Sequence, residues 1–236
     1  MATLEAHRKP PSKQLLFAKK HSPEAVAKAT ALALVKRDPI SIVKRIFRRQ
    51  KFRKWMTDWT NAIERDRLRP EDLLPALHIG WRLICTILFF GALQDVPVSF
   101  KAHLNRDYNA FGWTSYGNRM FIELDPKAER RREGMGVAET IVYTLIHEGC
   151  HAFLVNFSCY CEFCGFEACR DRKPFEIGGG HGIAWQILTM AVEDSAGRCL
   201  GVKVDLQRRK DAVNDLRVRD DALYLNFEWV RRKFFA

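Results

Sequence analysis

The chain has 236 residues, 47% of them apolar, enough for one sizeable domain plus an appendage. No apolar run approaches the roughly 20 residues that span a bilayer; Leu83 to Leu93 is short and flanked by Arg82 and Asp95, so no transmembrane helix is expected. The net charge of +11 is unevenly placed: residues 1–70 hold 18 Lys and Arg against 6 Asp and Glu, a net +12, and the remainder is close to neutral. A basic third of this kind suits a polyanion such as DNA, because neutralising phosphates releases counterions. A solvated basic helical surface or a nuclear-import signal accounts for the same charge. The amino terminus has no apolar h-region or small-residue cleavage site, which predicts an intracellular location, nuclear or cytoplasmic. Seven cysteines, an odd number, in such a chain predict mostly reduced thiols.

Residues 1–23 read as a mobile basic tail. An alanine-rich stretch from Glu24 to Lys36 favours helix, with Ser22 as N-cap and Pro23 at the first helical position. A longer helical pattern runs from Ile40 to Arg67. Ile40, Val43, Phe47, Phe52, Trp55, Met56, Trp59 and Ile63 form its apolar stripe, read as a packing face, opposite Lys44, Arg45, Arg48, Arg49, Lys51, Arg53 and Lys54. Pro70 to Pro75 marks a boundary, and Leu77 to Leu93 reads as a buried helix stopped by Gly91 and the turn from Asp95 to Pro97. Val96 to Phe100 and Arg119 to Leu124 are β-prone, and Asn109, Gly112, Ser115 and Gly117 between them suit hairpin turns, so a small antiparallel sheet is expected. Val137 to Phe157 is strongly helical, and another helix follows from Gly182 to Ala196. The expected class is α+β: a basic helical extension over 1–70, then a domain over 71–236. Gly178-Gly179-Gly180 is not followed by Lys-Ser/Thr, which excludes a P-loop.

The chemistry is concentrated in His147-Glu148-Gly149-Cys150-His151. Residues four apart on a helix sit about 40° apart around the axis and roughly 6 Å along it, so His147 and His151 share a face and can grip one ion. Glu148 falls beside the metal, where it can take a proton from a zinc-activated water. A catalytic zinc needs a third protein ligand and one open position. The metzincin offsets are occupied by Leu154 and Phe157, which excludes that subclass. Glu176 or Glu193 could serve, but His181, flanked by Gly178 to Gly180 and Gly182 at the approach to a helix, is the better candidate.

Taken together, Ile146 to Ala152, then Gly180-His181-Gly182 with Trp185, resemble the SprT-like zinc metallopeptidases, which include the Spartan proteases. Leu88-Phe89-Phe90-Gly91-Ala92-Leu93 and Met120-Phe121-Ile122-Glu123-Leu124 are similar to the elements preceding the motif in that family, and the resemblance covers residues 73–196. It implies a compact zincin-like fold, Zn2+ held by His147, His151 and His181, and Glu148 as catalytic base. It also implies a protein substrate, with DNA-protein crosslink repair as one setting, since several members cleave proteins bound or crosslinked to DNA. No four-cysteine zinc ribbon follows the domain, where Cys199 stands alone, so any DNA contact is expected from the basic amino-terminal helices.

Cys159, Cys161, Cys164 and Cys169 lie between the second and third expected ligands, with three readings open: packed free thiols, one local disulfide, or a second structural zinc. Cys85 and Cys150 read as core residues, and His78 and His103 as ordinary histidines. Tyr143, Tyr160 or an arginine could stabilise an oxyanion, and a substrate strand could pair along Phe121 to Leu124. The alternative to a peptidase is a nucleic-acid-binding or scaffold protein whose zinc only staples the fold.

Overall fold

The computed structural model describes residues 23–36, 42–64, 69–115, 119–127, 134–158 and 181–208. The Ser22 cap, residues 1–22, Tyr160, the cluster from Cys159 to Cys169, Glu176, Gly178 to Gly180 and residues 209–236 lie outside these. The elements are α1 (Pro23–Lys36), α2 (Ile42–Glu64), α3 (Pro70–Leu88), β1 (Val98–Phe100), α4 (Leu104–Tyr108), β2 (Gly112–Ser115), β3 (Phe121–Leu124), α5 (Val137–Phe157) and α6 (Ile183–Cys199). The architecture is mixed α+β, mostly helical with a three-stranded sheet. No described helix is long and apolar enough to cross a membrane.

Residue contacts divide the chain into two units, one of Ser41–Phe153 with Ala196–Leu206, the other of Met1–Ile40, Leu154–Ser195 and Gln207–Ala236. In the first, the aromatic stripe of α2 is a packing face from its middle onward. Phe52, Trp55 and Trp59 are buried, Trp55 and Trp59 stack at 6.0 Å, and their indole N–H groups donate to Ala76 O (2.9 Å) and Ala138 O (3.1 Å). Those two bonds let large amphipathic rings be buried without stranding a donor. Phe47, expected in the same stripe, is instead exposed, as is its neighbour Ile46. Trp55 lies so close to α3 that a Cβ built at Gly80 would fall 1.9 Å from its ring; glycine there sets the helix-to-helix distance. Arg49 turns away from solvent and donates to the last carbonyls of α6, Arg198 O at 2.6 Å and Gly197 O at 3.4 Å, where a cation suits the helix dipole.

The helix expected over 77–93 begins at Pro70 and ends at Leu88. Proline is tolerated at a first position because that N–H has no helical partner, and Asp72 accepts the Arg69 N–H at 3.1 Å, closing the first turn. Pro75 falls inside the helix without ending it. Beyond Leu88 the backbone adopts positive φ at Phe90 (55°) and Gly91 (76°), and the Trp81 indole donates to Val96 O (3.2 Å).

The sheet has the order β1-β3-β2, and it is mixed where an antiparallel one was expected. β1 pairs parallel with β3, Val98 opposite Ile122, while β2 pairs antiparallel with β3, Thr114 opposite Ile122. The segment read as hairpin turns supplies both α4 and β2, and Gly112 and Ser115 are the first and last residues of that strand. Among the described residues β3 is therefore central, and the edge strands are β1 and β2, not Phe121–Leu124. Ile122 and Leu124 point into the core, whereas Glu123 accepts the Trp113 indole N–H at 2.5 Å and lies 3.6 Å from Lys101. Asp125, buried at the end of β3, accepts the Asn105 and Lys127 N–H groups at 2.8 and 2.9 Å.

In the second unit, α1 buries Val26, Ala27, Thr30, Ala31 and Leu34, the small residues of its alanine-rich stretch. α6 buries Ala184, Trp185, Leu188, Ala191 and Val192. Its Glu193 is ion-paired with Arg208 at 2.5 Å.

Candidate metal centre

α5 spans the residues its apolar pattern predicts, and it is buried on nearly every side: Ala138, Ile141, Val142, Leu145, Ile146, Cys150 and Phe153 are each under 5% exposed. Against that lining, His147 and His151 are only half-buried, and Glu148 is 6% exposed. Gly149, the residue between them, lets α5 approach the aromatic core, since a Cβ there would meet Phe89 Cε2 at 2.8 Å and Trp81 Cη2 at 3.1 Å.

His147 Nε2 and His151 Nε2 are 3.2 Å apart, with ring centroids separated by 5.0 Å. His147 Nδ1 is 3.2 Å from Leu206 O. A carbonyl only accepts, so Nδ1 carries the proton and Nε2 presents its lone pair, the arrangement that orients a ligating imidazole. Leu206 is itself fully buried, and the segment before it is tied down where the Tyr143 hydroxyl donates to Lys203 O at 2.8 Å. That bond uses the one proton of Tyr143, which does not favour it as an oxyanion donor.

His181 immediately precedes α6. Gln186 holds its backbone by donating from Nε2 to His181 O (3.2 Å), and the Trp185 ring meets the imidazole edge-on at 4.6 Å and 82°. One ring nitrogen from each of His147, His151 and His181 lies within 4.8 Å of the others, and among the described residues no other such group of His, Cys, Asp and Glu is formed. Three nearby histidines of this kind can hold a metal ion. Two nitrogens bound to a tetrahedral zinc at about 2.0–2.1 Å lie roughly 3.4 Å apart, so the 3.2 Å between His147 and His151 fits that ion. Glu193, an acidic alternative for the third position, is engaged by Arg208 and is not in the group.

The Glu148 carboxylate is met from the sheet: Thr114 Oγ1 lies 2.8 Å from its Oε2 and 2.9 Å from its main-chain oxygen. Neither Thr114 nor the Leu206 carbonyl was marked by a motif. Cys85, Cys150 and Cys199 are buried, and burial pushes the Cys85 thiol well above the ordinary range. His78 behaves as an ordinary histidine, its Nε2 donating to Val98 O at 2.9 Å. Comparison with family models, with curated proteins and with solved structures finds no match to this chain.

Proposed function

We propose that this chain is a zinc-dependent metalloendopeptidase with a zincin-like domain, related to the SprT-like enzymes its motif resembles. The observation that carries this reading is the convergence of His147, His151 and His181 with a buried carboxylate, Glu148, on the same helix as two of them. Among the described residues this is the one group of His, Cys, Asp and Glu whose ligand atoms lie close enough to share a cation. A bound zinc ion acts as a Lewis acid, lowering the pKa of water and polarising a carbonyl.

The chain's own residues supply the remaining chemistry. The three imidazoles would hold the ion, and Leu206 O keeps His147 in the Nε2-presenting tautomer. Glu148 takes a proton from the attacking water at its carboxylate and returns it to the leaving amine, so the peptide C–N bond breaks with protons balanced. β2, an edge strand among the described residues, lies beside Glu148 and suits an extended peptide held by main-chain pairing, with little sequence selectivity.

The charge of residues 1–70 supports DNA-bound or DNA-crosslinked proteins as the substrate class. The test is incubation of the zinc-loaded chain with a DNA-binding protein, with and without DNA, beside the Glu148→Gln variant. Cleavage that the variant loses supports the reading. Undiminished cleavage by the variant, or zinc-loaded protein that binds DNA yet cleaves nothing, favours the scaffold alternative.

A further inference from the structure

One side chain outside the ligand set reaches the base. Thr114 Oγ1 contacts Glu148 twice, at Oε2 (2.8 Å) and at the main-chain oxygen (2.9 Å). A hydroxyl owns one proton and can also accept, whereas a carbonyl and an ionised carboxylate only accept. Thr114 therefore cannot donate to both oxygens at once, yet its position suits both protonation states of the carboxyl. With the carboxylate ionised, Oγ1–H donates to Oε2. With the accepted proton on Oε1, Oε2 still accepts from Oγ1–H, so that proton stays available to the leaving amine and no bond of Thr114 changes.

The strand that carries Thr114 is held firmly. Thr114 sits opposite the fully buried Ile122, and a Cβ at Gly112, two residues earlier, would lie 2.8 Å from Thr144 Cγ2 of α5 and 2.9 Å from Glu123 O. β2 thus lies directly on α5, and the β-branched Thr114 side chain has restricted χ1 freedom.

We infer that Thr114 is the positioning residue of the base, keeping the Glu148 carboxyl in one place both before and after it accepts the proton. The inference rests on the reading of Glu148 as base. Thr114→Val keeps the shape and strand propensity but removes the hydroxyl, and Thr114→Ser restores it. Against a DNA-bound protein substrate, Thr114→Val is expected to lower kcat roughly 10- to 100-fold, as loss of a supporting hydrogen bond typically does, with KM and zinc content as in the unaltered chain and Thr114→Ser recovering most of the rate. If Thr114→Val does not fold, Thr114→Ala carries the same expectation.

A hydroxyl-free variant within about twofold of the unaltered kcat would overturn the inference, as would a serine variant no better than valine, or a change in KM alone. Glu148→Gln, assayed in parallel, separates the two levels. Turnover lost in Glu148→Gln but intact in Thr114→Val sinks only the positioning role, whereas turnover that does not depend on Glu148 sinks the function and this inference with it.

Discussion

Gly149, between the two motif histidines, is the position where fold and site are most tightly joined, and Gly149→Ala tests that joint. The added methyl would lie 2.8 Å from Phe89 Cε2, 3.0 Å from Phe89 Cζ and 3.1 Å from Trp81 Cη2, closer than ordinary contact. Neither ring retreats cheaply. Phe89 is fully buried and stacked on Phe153 at 5.9 Å, and Trp81 is tied to Val96 O at 3.2 Å. Overpacking of this kind costs about 1–3 kcal/mol. Alanine's better helix propensity returns about 0.8–1.0 kcal/mol, leaving a net loss of up to about 2 kcal/mol. At roughly 2–4 °C per kcal/mol for a chain of this size, thermal unfolding followed by circular dichroism on metal-free protein should show a Tm lowered by a few degrees. Gly136→Ala is the control, because a Cβ there meets nothing within 4 Å. A Gly149→Ala protein melting above the unaltered chain by as much as the Gly136→Ala control or more would refute the close approach of α5 to the aromatic core.

Other outcomes follow from the same geometry. Zinc added at about 100 times its Kd should stabilise the chain by about 2.7 kcal/mol, a shift that a chelator reverses and His181→Ala greatly reduces, read by calorimetry. Arg49→Ala, which strips the cap from the end of α6, should cost about 1–2 kcal/mol in denaturant unfolding, and Arg49→Lys should not restore it fully, since lysine lacks the forked donor. Burial raises the Cys85 thiol, so the folded chain keeps a proton that the unfolded chain releases above about pH 8.5. The stability from this group is intact below that pH and falls as pH rises, by at most about 1.4 kcal/mol per unit; Cys85→Ala should flatten the alkaline slope of unfolding free energy, and an unchanged slope would contradict the burial argument.

How far the sequence revealed the molecule depended on the reach of each interaction. α1, α5 and α6 were legible because apolar periodicity and local propensity decide a helix within its own length. His147, Glu148 and His151 were legible for the same reason: their geometry is set by one helix turn. The start of α3 is hidden because Pro70 and Pro75 read as a boundary, whereas proline at a first position opens a helix. The parallel pairing of β1 with β3 was hidden, since pairing across the intervening α4 and β2 leaves no local mark, and the glycine and serine content of Gly112–Ser115 suggests turns when its neighbours in space are unknown. Phe47 fits the α2 stripe by spacing but finds no cover. Thr114 and Leu206, 34 and 59 positions from the residues they support, carry no motif because their contribution is a contact made only by the fold.

A zinc site built from three histidines is tested most directly by X-ray absorption at the zinc edge, on protein loaded with one equivalent of metal beside His181→Ala. A three-histidine site gives a shell of nitrogen and oxygen at about 2.0–2.1 Å with scattering from three imidazoles, one of which is lost in the variant. A shell dominated by sulfur at about 2.3 Å, unchanged in His181→Ala, would contradict it by placing the metal on the cysteines.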